Sequence, residues 1–76
     1  MREKILELLA EVCEDDSVMT DTSQELFQSG LLDSLGFAEF LVNLEEELDV
    51  VIAPSQVQRE DIDTPEKIVE LVMEHM

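Results

Sequence analysis

The chain has no tryptophan and no tyrosine, and in 76 residues it has one cysteine, one histidine, two glycines, two prolines and four basic side chains. Each shortage excludes something. With Cys13 alone, no internal disulfide can form, which fits a reducing compartment. His75 is the penultimate residue and the only histidine, so the chain offers no Ser-His-Asp machinery. Three phenylalanines and a mostly aliphatic set of apolar residues suffice for a small helical bundle. They do not suffice for a deep catalytic pocket with walls and a lid. No apolar run approaches the ~20 residues of a membrane span, and charges every few residues after Met1 leave no signal-peptide core. One cytoplasmic, soluble domain over residues 1–76 is expected.

Four Lys and Arg against twenty Asp and Glu give a formal charge of −16. Such a surface repels phosphate backbones and anionic lipid, so neither nucleic-acid binding nor direct membrane insertion is expected. It favours partners that present basic patches, through fast and salt-sensitive encounters. The same excess could serve solubility alone, so the placement of the acids has to decide.

Apolar positions Ile5, Leu6, Leu8, Leu9, Val12 and Cys13 predict a helix over 2–14. Polar turn formers from Asp15 to Ser23 then predict a long first loop. Leu26, Phe27, Leu31 and Leu32 are too apolar to stay in water, so this loop should fold back over the bundle with a helical turn, Gly30 supplying a bend. A second helix is predicted over 34–48, capped by Asp33 or Ser34. Asp49 to Pro54 reads as a packed loop, since a lone strand has nothing to pair with. A short turn near 59–62 precedes Thr64-Pro65-Glu66, a cap, a first-position proline and a first-turn acid that open the last helix. Its inward residues should be Ile68, Val69, Leu71, Val72 and Met73. The fold class is all-α: three main helices, one short helix and a long first loop.

At about 100° per residue, the second helix has two apolar faces. Phe37, Phe40, Leu41, Leu44 and Leu48 share one arc, the expected core face. Leu35, Ala38 and Val42 fall opposite, with Glu39, Glu45 and Glu46 beside them. Either the long loop covers this second strip, or it is a docking strip edged with carboxylates for a basic partner.

That helix begins with Leu31-Leu32-Asp33-Ser34-Leu35-Gly36. A serine so placed, with no base to activate it, reads as a point of modification rather than a nucleophile. Gly36 should leave the chain thin beside the hydroxyl, and the helix N-terminus would favour a phosphodiester there. Asp15-Asp16 and Asp61-Ile62-Asp63 lack calcium-loop spacing, so no metal is expected. Cys13 reads as a small core residue and His75 as a last-turn residue.

Gly30-Leu31-Leu32-Asp33-Ser34-Leu35, with a helix ending Leu44-Glu45-Glu46-Glu47-Leu48, resembles the phosphopantetheine carrier superfamily over essentially the whole chain. The resemblance implies a non-catalytic acyl-carrier-like helical bundle with a 4′-phosphopantetheine arm, taken from coenzyme A, on Ser34. It makes the second helix the recognition helix, in agreement with the strip read from its period, so Asp33, Leu35, Ala38, Glu39, Val42, Glu45 and Glu46 are the expected partner-binding residues. Within the superfamily, Leu9 to Asp16, Asp33-Ser34-Leu35-Gly36, Arg59-Glu60-Asp61 and Thr64 to Val69 are similar to the D-alanyl carriers of lipoteichoic acid D-alanylation. That family usually has an aromatic residue after the serine and Trp-Asn before Thr-Pro, where this chain has Leu35 and Ile62-Asp63. The implied partners are a phosphopantetheinyl transferase, a D-alanine–carrier protein ligase and a membrane-bound O-acyltransferase system, all meeting a monomer. D-alanine is small and cationic, so its arm is expected to stay largely outside the bundle. A fatty-acid or polyketide acyl carrier is the alternative within the superfamily. An unmodified acidic interaction module is the alternative outside it.

Overall fold

The computed structural model describes residues 1–76, apart from the side chain of Pro54. Helix α1 spans Arg2–Cys13, α2 Ser17–Thr20, α3 Ser34–Leu48 and α4 Pro65–Glu74, with 3-10 turns at Pro54–Gln56 and Arg59–Asp61. Among the described residues there is no strand. Helix α1 is the hub and packs against α2, α3 and α4. Ile5, Leu9, Leu26, Phe40, Leu44, Ile68 and Val72 are fully buried in one core. The rings of Phe37 and Phe40 lie 6.3 Å apart within it. No helix is long and apolar enough to cross a membrane.

Two helices stop without glycine. Glu14 closes α1 and Asp49 closes α3, both in the left-handed region with φ near 57°. In each case the cap amide returns to a carbonyl one turn back, which satisfies an otherwise orphaned acceptor. After Asp49 the Val50 amide also donates to the Leu44 carbonyl at 3.3 Å. This turns the chain so that Val50 and Ile52 enter the core while Val51 points out. The stretch is the packed loop that the lack of a partner strand implies.

The long first loop is held by backbone bonds to distant segments. The Leu26 amide donates to the Asp63 carbonyl at 2.7 Å, and the Glu66 amide to the Thr22 carbonyl at 3.0 Å. Gly30 takes φ +82° where the loop bends, and the Leu32 amide then returns to the Leu26 carbonyl. These bonds draw the loop toward the start of α4. The second face of α3 is left uncovered.

The helical turn expected in the loop is α2, which buries Val18, a residue that sets up no apolar period of its own. Three details differ from the sequence reading. A further 3-10 turn forms at Pro54–Gln56. Met73 is exposed, because the buried stripe of α4 is carried by Ile68, Val69 and Val72. Leu48 is only half-buried, packed against the edge of the core where α3 ends.

Candidate functional site

Asp33 has extended backbone geometry and its Oδ1 accepts the Gly36 amide at 2.7 Å. The sequence offers Asp33 and Ser34 equally as the cap, and the structure uses Asp33. Ser34 becomes the first residue of α3, exposed, with its hydroxyl committed to no cap bond. A hydroxyl at the head of a 15-residue helix is accessible to an enzyme. A phosphodiester placed on it would meet the favourable end of the helix dipole.

Gly36 has a different role from the one its position in the motif implies. A Cβ there would lie 3.2 Å from Leu32 Cδ1 and 3.3 Å from Asp33 Oδ1, with the Val12 carbonyl oxygen at 4.0 Å. The missing side chain makes room for the cap and for Leu32 rather than opening the flank of Ser34. Gly36 is a packing glycine.

Leu35 is 82% exposed and Val42 52%, and Ala38 is exposed between them. Val51, 67% exposed, meets Ala38 and Val42 across a shallow depression of about 260 Å³. It widens the strip and could not be placed there from sequence, because nothing local fixes which side of an extended segment faces α3. Glu39, Glu45 and Glu46 are exposed and, among the described residues, form no ion pair. Glu47 instead bonds Lys4 at 3.4 Å. Of these four α3 carboxylates, the three left without a cation partner are those the sequence places beside the strip.

Ser34 also borders an open groove of about 550 Å³. Phe27, Leu32, Phe37, Ala38, Val57 and Ile62 give it apolar walls, and Arg59 supplies a cation. Arg59, Phe27 and Val57 were absent from the sequence-derived site, since no local motif links residues so far apart. The only usable signal was that Phe27 is too apolar for a free loop. A long, mostly polar chain anchored by one anionic ester fits this groove: apolar walls, an open side and a positive charge. The residues present therefore suit a phosphopantetheine.

The remaining reactive groups lie elsewhere. Burial in α1 pushes the Cys13 thiol up to about 11, and the nearby Asp15 charge adds to the shift. His75 is the C-cap of α4, its Nδ1 2.9 Å from the Leu71 carbonyl oxygen.

A family model described as the phosphopantetheine attachment site matches residues 3–72. The chain is 47% identical over 72 residues to the D-alanyl carrier protein of Abiotrophia defectiva, covering 95% of this chain and 91% of that protein. It is 41% identical to the D-alanyl carrier protein of Listeria monocytogenes serotype 4b, covering 90% and 87%. Its identity to the one from Bacillus subtilis strain 168 is 37%, covering 96% and 94%. The chain belongs to the phosphopantetheine-attachment family of carrier proteins, and within it to the D-alanyl carrier branch. Its cofactor is a covalently attached 4′-phosphopantetheine. Carriers of this family are in general non-catalytic and work through partner enzymes such as a transferase and a ligase.

Proposed function

We propose that Ser34 bears the arm and that this chain carries D-alanine for lipoteichoic acid D-alanylation, as one cytoplasmic, monomeric domain over residues 1–76 with no catalysis of its own. The observation that carries the reading is the division of labour at the head of α3. Asp33 takes the cap, so the Ser34 hydroxyl is exposed and uncommitted. In the attachment step the Ser34 oxygen forms a bond to the phosphorus of coenzyme A. The pyrophosphate P–O bond breaks and adenosine 3′,5′-bisphosphate leaves. The hydroxyl proton passes to a base on the transferase, since this chain brings no histidine to the site.

When bound, the arm supplies the terminal thiol that holds the aminoacyl group as a thioester. The chain's own residues supply position and recognition. Leu35, Ala38 and Val42 offer an apolar contact, and Asp33, Glu39, Glu45 and Glu46 offer charges along α3 for a basic face. The partners proposed for that face are the transferase, the D-alanine–carrier protein ligase and the membrane-bound O-acyltransferase system. Support for the cargo comes from relatives named D-alanyl carrier proteins, which are 47% and 41% identical over 95% and 90% of this chain. Parallel charging of the phosphopantetheinylated protein by a D-alanine ligase and by a fatty-acyl-loading enzyme tests it. D-alanine loading well above background with poor acyl loading is expected. The reverse result would make the chain an acyl carrier of fatty-acid or polyketide synthesis.

A further inference from the structure

The protein has four cationic side chains, and three of them are occupied. Arg2 forms a two-pronged ion pair with Glu66. Lys4 pairs with Glu47, and Lys67 pairs with Asp63 at 3.0 Å while donating to the Glu60 carbonyl. Arg59 differs. Among the described residues its guanidinium has no carboxylate partner and no hydrogen bond to protein. Its Cζ lies 4.5 Å from the centroid of the Phe27 ring, within cation–π range. A ring holds a guanidinium by its face and leaves the N–H donors at its edge free.

Arg59 and Ser34 line the same groove. On its other side Arg59 borders a depression with Glu25, Glu60 and Asp63. Two of these acids are engaged: Asp63 by Lys67, and Glu25 by the Gln28 amide. An arm on Ser34 would bring one more negative charge to a surface already at −16, next to the Asp33 carboxylate. Beyond the α3 dipole, a nearby cation would offset that local repulsion, and a guanidinium matches a phosphate through paired N–H donors.

We propose that Arg59, shelved on Phe27, is the counter-ion for the phosphodiester of an arm on Ser34 and holds the base of that arm in the groove beside α3. The proposal rests on the reading of Ser34 as the attachment residue. Arg59 is a positioning residue; it takes no part in a bond-making step.

The test uses the full chain, isotope-labelled, before and after treatment with coenzyme A and a phosphopantetheinyl transferase. The attachment residue is mapped by peptide mass. The Arg59 Nε–H resonance, identified by its loss in Arg59→Gln, should move when the arm is attached. The phosphorus resonance of the holo protein should differ between wild type and Arg59→Gln at low salt, and the difference should shrink as salt rises. Phe27→Leu, which keeps the charge and removes the shelf, should give an intermediate phosphorus shift. An arm mapped to Ser34 with an unmoved Arg59 resonance and coincident phosphorus resonances would overturn this proposal alone. An arm mapped to another residue would overturn the reading of Ser34 and this proposal with it.

Discussion

Asp33 Oδ1 accepts the Gly36 amide at 2.7 Å, and that single bond frees the hydroxyl of Ser34 from structural duty. The two neighbours should therefore separate cleanly under mutation. Asp33→Ala should cost about 1 kcal/mol in urea unfolding, the usual loss for an N-cap. Ser34→Ala should leave the unfolding midpoint unchanged. An equal loss in both variants would mean that the serine shares the cap.

The two faces of α3 should also separate. Leu44 is fully buried, so Leu44→Ala should destabilise by about 2–5 kcal/mol. Val42→Asp adds a charge to an exposed position and should leave stability within about 0.5 kcal/mol of wild type. It should nevertheless raise the KM of loading, because the carboxylate enters the apolar strip. A stable Leu44→Ala variant or an unfolded Val42→Asp variant would reverse the assignment of the faces.

Cys13 should be nearly inert to thiol reagents at pH 8, since burial keeps its thiol neutral until about pH 11. Attachment of the arm should add one fast-reacting thiol. The folded value lies above the ordinary 9.0, so the unfolded chain releases its proton first. The stability this provides is complete below pH 9 and is lost as pH rises from 9 toward 11. Cys13→Ala should flatten that part of the urea-midpoint profile. Rapid labelling of Cys13 in the apo protein at pH 8 would contradict its placement.

Salt should act in opposite directions on folding and on loading. Raising ionic strength screens the self-repulsion of a chain at −16 and should raise its unfolding midpoint. It should slow encounter with a basic-faced ligase, because rim charges act chiefly on the association rate. A salt-independent loading rate would remove electrostatic steering by Glu39, Glu45 and Glu46.

Much of this architecture is legible in the residues. Thr64-Pro65 marks the start of α4 because a hydroxyl cap and a missing amide suit the same helix end, and Thr64 Oγ1 accepts the Lys67 amide. The two stripes of α3 follow from its period, with Leu35 and Val42 outward and Phe40 and Leu44 inward. The cap itself was ambiguous, because an aspartate and a serine in succession both accept amide bonds. Val18 was hidden among polar turn formers. Gly36 looked like an opening, and only the packing of Leu32 against it shows what the missing Cβ accommodates. The Arg59–Phe27 pair depends on how the long loop is fastened near Asp63, a tertiary fact with no local signal.

The most direct measurement is intact and peptide mass after incubation with coenzyme A and a phosphopantetheinyl transferase, then with ATP, D-alanine and the ligase. One phosphopantetheine is expected on the peptide containing Ser34, with a further D-alanyl mass removable by hydroxylamine, and neither gain in Ser34→Ala. An unmodified wild-type chain, or an undiminished gain in Ser34→Ala, would contradict this expectation.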